Sequence, residues 1–263
     1  MIEEMEAEFD TVAEWTADVA IDLGTDYYVP AACRGSGSPA SLRWFLDQLA
    51  VTRADRMLDC GGGVGGPAAF ARDEVGVVPL LTDPAAGACR AASRMFDLPV
   101  VQAASDLPLA SGSLDVVWSL GVLCTVPDQP HLLAELRRVL NRQGRLGLLV
   151  FVAQHPPLSD QPSGNNFPTE QGLRTMLADA GLRVENSASA ADFMATPELW
   201  AERAGAVEDE LERRHGNDPR WQTAAEQSAL IGRLLSDGEV AGTMIMARPH
   251  EPRGEASCLR LRC

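Results

Sequence analysis

The sequence predicts an α/β fold: a doubly wound, seven-stranded, mostly parallel sheet, with helices before it and a helical insertion ahead of its last strand. Three observations carry this. From Arg56 onward, short apolar runs alternate with helical stretches, the pattern of successive βαβ units. Between the first run and the first of those helices lies "MLDCGGGVGGP", Met57 to Pro67, with five glycines. Two helical stretches at 196–236 separate the sixth apolar run from the last.

Taken in order, "MEAEFDTVAEWTADVAIDL" has apolar residues at helical spacing. A break follows at "GTDYYVPAACRGSGSP", after which Ser38 reads as an N-cap and Pro39 as the first residue of the helix "ASLRWFLDQLA". "RMLD" is the first strand, "VGVVPLLTD" holds the second, and "LPVVQ", "LDVVWSL" and "GRLGLLVFV" are the third to fifth. Helices at 66–74, 84–95 and 128–140 fill the intervals. "AQHPPLSDQPSGNNFP" is a loop by composition. "TEQGLRTMLADAGL" is a helix capped by Thr169 and ended by Gly181, and "RVENSAS" is a sixth strand. "TPELWAERAGAVEDELERRHG" and "RWQTAAEQSALIGRLLSDG" are two amphipathic helices, and "VAGTMIMARP" is the last strand. This divides the chain into a helical cap (1–50), a core (51–153), a C-terminal part (154–250) whose insertion at 196–236 is a lid or a dimer surface, and a tail (251–263) expected to be disordered.

Composition narrows the function. The chain carries 37 acids against 22 bases, a formal charge of −15, which repels phosphate backbones and anionic membranes. The expected partner is a small molecule rather than a nucleic acid or a membrane, and the sequence leaves open whether the chain forms a homodimer. All 22 bases are arginine, so no lysine is present for a Schiff base, a P-loop or a catalytic base. The six cysteines form no C-x-x-C and no zinc spacing. The acidic start and the lack of any apolar run near about 18 residues point to a cytoplasmic location.

The glycine segment reads in two ways. Gly61, Gly63 and Gly66 spell the G-x-G-x-x-G of a dinucleotide site; Asp59, Gly61, Gly63 and Gly65 spell D-x-G-x-G-x-G. A carboxylate at Asp59 suits a ligand bearing an ammonium better than a pyrophosphate. Asp83, closing the second strand, bonds a ribose diol in either kind of site.

The downstream segments separate the two. "LPLASGSLDVVWSLGVLCTVPD" (107–128) and "LLAELRRVLNRQGRLGLL" (132–149), with "LDCGGGVGG" and "LLTDP" before them, resemble four ordered motifs of class I S-adenosylmethionine-dependent methyltransferases over residues 56–152. The flavour is similar to the small-molecule branch of quinone-biosynthesis and natural-product enzymes. The resemblance implies a Rossmann-like class I methyltransferase fold and S-adenosyl-L-methionine as cofactor. Gly61, Gly63 and Gly65 would let the backbone pass beneath it. Asp59 would pair with the methionyl ammonium, partly through water, and Asp83 with the ribose hydroxyls. Pro84 would pack near the adenine with Ala85, Ser105 and Asp106 would lie at its edge, and Ser119 and Leu120 would line the transfer face. The chain departs from the pattern at Ala103, where an acid is frequent, and at Cys124 and Thr125, which replace a frequent His pair.

Other candidates are residues at loops. His155, after the fifth strand, is the candidate general base. Tyr28, beside Tyr27, and Arg34 are candidate ligands of the methionyl carboxylate. His131, in the first turn of a helix, reads as a surface or capping residue, and Trp118 and Cys124 as packed core. The expected reaction is methyl transfer to an oxygen or nitrogen, with carbon as a further option, of a small molecule. The alternatives are a protein of this fold that binds the cofactor without transferring methyl, a partner-binding module built on the insertion, and a nicotinamide oxidoreductase, which Asp59 and the segments at 107–149 oppose.

Overall fold

A computed structural model describes residues 7–158 and 160–250; the tail expected at 251–263 lies outside the described residues. Its sheet has seven strands: β1 (Met57–Cys60), β2 (Leu80–Asp83), β3 (Val100–Gln102), β4 (Leu114–Leu120), β5 (Leu140–Ala153), β6 (Leu182–Ser189) and β7 (Val240–Pro249). Their order is β3-β2-β1-β4-β5-β7-β6. The first five are parallel, and β7 runs antiparallel to both of its neighbours. A dinucleotide-binding sheet of order 3-2-1-4-5-6 has no such inserted antiparallel strand.

Nine α-helices surround the sheet among the described residues. They are α1 (Ala13–Leu23), α2 (Tyr28–Ala32), α3 (Pro39–Gln48), α4 (Gly66–Val75), α5 (Ala86–Phe96), α6 (Gln129–Val139), α7 (Glu170–Asp179), α8 (Glu198–His215) and α9 (Pro219–Ser236). The predicted caps form. Ser38 Oγ accepts from Ser41 N at 3.1 Å while Ser41 Oγ accepts from Ser38 N at 2.8 Å, and Thr169 Oγ1 accepts from Gly172 N at 3.0 Å. Three stretches depart from the sequence reading. Ala7–Val12, read as ordinary helix, is π-helical. The break at 24–38 holds a 3₁₀ turn (Thr25–Tyr27) and α2; Pro30 falls in the first turn of α2, where the missing N–H breaks no helical bond. Strand β5 starts at Leu140 directly after α6, absorbing the expected turn "NRQG", and its register with β4 shifts between Leu114 and Val116.

Strand alternation sets two core faces. Leu58, Val117, Leu146 and Leu148 pack with Leu133 and Leu136 of α6 and Leu173 and Leu177 of α7. Met57, Val116, Trp118 and Met244 pack with Leu42, Phe45 and Leu49 on the other face. Helix α3 is therefore part of the sheet core, although the sequence division grouped it with the cap. A third cluster joins Val19 and Ala20 of α1, Ala31 of α2, Ala91 and Ala92 of α5, Val207 and Leu211 of α8, and Trp221 of α9. The cap and the insertion thus meet over the α5 side of the core.

Candidate cofactor site

The glycine loop sits at the carboxyl ends of β1 and β2, where open α/β sheets bind ligands. Gly61 N and Gly62 N both donate to Thr82 O, at 2.7 and 3.1 Å, so β2 holds the start of the loop. Gly63 N donates to Asp83 Oδ2 at 2.9 Å, and Ala85 N donates to Asp83 Oδ1 at 2.9 Å. Gly61, Gly63 and Gly65 all have positive φ, at 72°, 53° and 88°. A Cβ on Gly63 would meet nothing within 4 Å, so open space lies above it; one on Gly61 would stand 2.4 Å from Val122 Cγ2.

Gly66 has a different purpose. A Cβ there would lie 2.4 Å from the backbone carbon of Ala32. This glycine lets α2 dock on α4, so its missing Cβ serves packing rather than approach to a ligand.

Both acids of the site are buried. Asp59 is 1 % exposed and Asp83 7 %. Asp59 lies beneath Gly62, whose Cβ would stand 2.9 Å from its Cγ, and it faces Trp118. Its Oδ2 has no hydrogen-bond partner, and neither has Trp118 Nε1, although the nearby indole favours the charged carboxylate. Burial dominates and pushes the Asp59 carboxyl up to about 7, with a further push from Asp83. Burial also raises Asp83, against the two backbone N–H bonds that favour its charge; the Asp10 carboxylate adds to the rise.

The remaining candidates are placed as follows. Ser119 is buried, and its Oγ donates to Cys60 O at 2.9 Å, tying β4 to β1. Leu120 is buried in the Trp118 cluster. Pro84 is exposed, and its carbonyl accepts from Gln102 Nε2 at 2.9 Å. Ser105 is half-buried. Asp106 is turned to solvent and bonds His131 Nε2 at 2.8 Å, so the His131 ring is a partner of the loop after β3. Tyr28 packs edge-on against Phe96, ring centres 6.0 Å apart, with Tyr27 in the same cluster. Arg34 pairs with Glu208 of α8 at 3.5 Å. His155 is exposed on the loop after β5. The structure therefore gathers Asp59, Gly61, Gly63, Gly65 and Asp83 into one site, and spends Asp106 and Arg34 on other partners.

Sequence reading missed three contributors. The Asp10 carboxylate accepts from Gly87 N at the start of α5, close enough to Asp83 to affect its charge. Gly121, φ 80°, lets the Gly35 carbonyl approach the end of β4; its Cβ would stand 2.8 Å from that oxygen. Phe151 lies near Gly121 and Gly242. Only Gly121 left a local signal, a glycine directly after a strand.

Residues 58–148 match the family model described as a methyltransferase domain. No curated protein matches the chain. The chain is similar to the crystal structure of SpnF, a (4+2)-cyclase, at 16 % identity and TM-score 0.70, covering 94 % of this chain and 97 % of that one. It is similar to a phosphoethanolamine N-methyltransferase of Haemonchus contortus solved with phosphomonomethylethanolamine and S-adenosylhomocysteine, at 18 % identity and TM-score 0.63 over 80 % of this chain and 52 % of that one. It is also similar to a geranyl diphosphate C-methyltransferase of Streptomyces coelicolor A3(2), solved with Mg²⁺, geranyl diphosphate and S-adenosylhomocysteine, at 16 % identity and TM-score 0.58 over 80 % and 75 %. The chain shares the Rossmann-like α/β fold of these structures, and residues 58–148 match the methyltransferase-domain model.

Proposed function

We propose that the chain binds S-adenosyl-L-methionine at the glycine loop and transfers its methyl group to an oxygen or nitrogen, with carbon as a further option, of a small molecule. One observation carries the reading. The Asp83 carboxylate is hydrogen-bonded to Gly63 N at the mouth of the loop, with open space above Gly63. Each carboxylate oxygen of Asp83 uses one backbone N–H and keeps acceptor capacity for a ribose diol. Asp59, buried behind the loop, reaches an ammonium through water or backbone rather than directly.

The cofactor supplies an activated methyl on a sulfonium. The residues of this chain supply positioning: the loop fixes one reactant, and the ends of β4 and β5 wall the space beside it. Positioning alone contributes on the order of 7–11 kcal/mol to such a displacement. A base is needed only where the acceptor loses a proton, and His155 is the candidate for that step. Among the described residues no helix is long and apolar enough to cross a membrane. The acidic surface, −15 overall, supports a neutral or cationic small-molecule partner over nucleic acid, and we extend the reading to a cytoplasmic location and a homodimer.

A second reading has its own support. The likeness to the (4+2)-cyclase spans 94 % of this chain, including the cap and the insertion. This fold hosts more than one chemistry, so binding the cofactor without methyl transfer is the alternative. Calorimetric titration of the protein and of Asp83→Ala with S-adenosylmethionine tests the shared step: saturable binding is expected, weakened at least about tenfold by the substitution. Transfer of a labelled methyl group to candidate acceptors then separates the two readings. Absence of binding by a folded protein overturns both.

A further inference from the structure

Trp15 of α1 and His215, the last residue of α8, lie face to face where the N-terminal helices meet the insertion. Their ring centres are 3.9 Å apart and their planes 2° from parallel. Both side chains are half-buried. Two neutral aromatic rings avoid such an overlap, because their quadrupoles favour an offset or edge-on approach with centres about 4.5–7 Å apart. A cation over an indole face favours it. The geometry is that of an imidazolium resting on Trp15.

The surroundings favour the same charge. His215 ends α8, where the last carbonyls lack helical partners and the negative end of the helix dipole attracts a cation. Asp218 N donates to His215 O at 2.8 Å, which folds the Asp218 carboxylate back toward the ring. That carboxyl is held low, mainly by Arg220 and in smaller part by His215. The Arg220 guanidinium, 4.9 Å from the Trp15 ring centre, is the opposing cation. Its Nε and Nη2 bond Asp218 at 3.0 and 2.7 Å, so its charge is already balanced. The other charged groups of these elements have partners of their own. On α1, Glu14, Asp18 and Asp22 pair with Arg90, Arg94 and Arg214. On α8, Glu210 holds Arg213 and Arg214, and Glu212 accepts from Trp221 Nε1.

The stack also has a long reach. The π-helical turn Ala7–Val12 runs directly into α1, so Asp10 and Trp15 lie on one continuous rod. Asp10 is seated on the start of α5, where its carboxylate accepts from Gly87 N and its carbonyl occupies the place a Gly87 Cβ would need. Asp83, at the glycine loop, feels the Asp10 charge. Loosening the rod at Trp15 therefore loosens a contact beside the loop.

We propose that Trp15 and His215 form a proton-operated latch: protonated His215 holds α1 on the insertion, and loss of the proton frees α1 as far as the contact of Asp10 with Gly87. Histidine is the side chain whose charge changes between about pH 5 and 8. The latch needs neither cofactor nor methyl transfer, so it stands or falls apart from the functional reading.

Hydrogen exchange of the full chain without ligand tests it, at about pH 5.5 and pH 8 and corrected for the intrinsic rate of each amide. In the wild type, the amides of α1 and of Gly87 should open about two- to fivefold more readily at the higher pH, the range of an exposed cation–π contact. His215→Gln removes the cation and should exchange fast at both pH values. His215→Arg keeps a permanent planar cation and should exchange slowly at both. Indole emission gives a second reading, because a charge arriving on a ring stacked against Trp15 alters its fluorescence. The wild type should show an emission step between these pH values, and the step should vanish in Trp15→Phe and in His215→Gln. The proposal is overturned if the wild type shows no pH response in α1, or if folded His215→Gln keeps the wild-type response. Should His215→Gln fail to fold, a wild-type-like pH response in His215→Arg overturns it equally. If α1 responds and Gly87 does not, the reach of the latch to the loop is overturned.

Discussion

The glycine loop and the seam between cap and insertion are held by opposite means. The loop is fixed by backbone hydrogen bonds to Thr82 and Asp83, buried carboxylates and close glycine packing. The seam has an apolar centre but is framed by exposed ion pairs. Asp22 meets Arg214, Asp26 meets Arg203 and Arg34 meets Glu208 between the N-terminal segment and α8, while Glu14 meets Arg90 and Asp18 meets Arg94 on α5. Trp15 lies flat on His215, ring centres 3.9 Å apart, with the Arg220 guanidinium 4.9 Å from the Trp15 ring centre. Rigid geometry is concentrated where a cofactor must be oriented. Weak, exchangeable contacts are concentrated where the N-terminal helices meet the insertion.

The sharpest way to separate the regions is to damage one and watch the other. Phe45 is fully buried under the sheet. Phe45→Ala should cost about 3–5 kcal/mol in denaturant unfolding and lower the midpoint of the whole molecule. If a large loss appears only in the cap, α3 does not belong to the sheet core.

Asp59 tests the loop by pH. Its carboxyl is raised from 3.8 to about 7 in the folded protein. A raised acid stabilises the fold fully below its unfolded value, and that contribution is lost as pH rises through about 7. Wild type should therefore lose a few kcal/mol of stability relative to Asp59→Asn between pH 4 and pH 8. Parallel pH profiles of the two proteins would show that Asp59 stays charged throughout.

Gly66→Ala strikes the joint between the regions. The new methyl group would press on the backbone of Ala32, which has no flexible end to move aside. Overpacking of this kind costs about 1–3 kcal/mol. Limited proteolysis should release the segment around 24–38 before the sheet is cut, whereas an unchanged cleavage pattern would mean that α2 tolerates a larger neighbour.

The contrast also explains what the sequence made legible. Strands, helix caps at Ser38 and Thr169, and the loop from Asp59 to Asp83 are local signals: period-two runs, a side chain three residues from its amide, and glycines between a strand and a helix. The bond from Asp10 to Gly87, the docking of Ala32 on Gly66 and the pairing of Asp22 with Arg214 join residues far apart in the chain. An exposed Asp or Arg carries no periodicity that names its partner. Hence the sequence offers Arg34 as a candidate carboxylate ligand but gives no sign of its pairing with Glu208. The same limit hid the apolar cluster where Phe151, Phe167 and Leu230 converge from three separate segments.

The smallest effect is the most telling for the seam. Arg203 and Asp26 are paired at 2.7 Å, with Asp26 largely exposed. An exposed pair of this type contributes about 0.2–1 kcal/mol, so Arg203→Ala alone should barely move the unfolding midpoint. Three such pairs cross the seam and two more tie α1 to α5, and all of them weaken together when the Debye length falls from about 10 Å at 0.1 M salt to about 3 Å at 1 M. Raising salt should therefore speed hydrogen exchange in α1 and α8 while leaving β1 and β4 protected, because the strands rest on buried apolar contacts that salt does not screen. Arg203→Ala should reproduce a fraction of that acceleration at low salt and add little at high salt. Equal salt response in strands and seam would mean that ion pairs do not set the stability of the cap, and that its apolar centre around Val19, Val207 and Leu211 holds it alone.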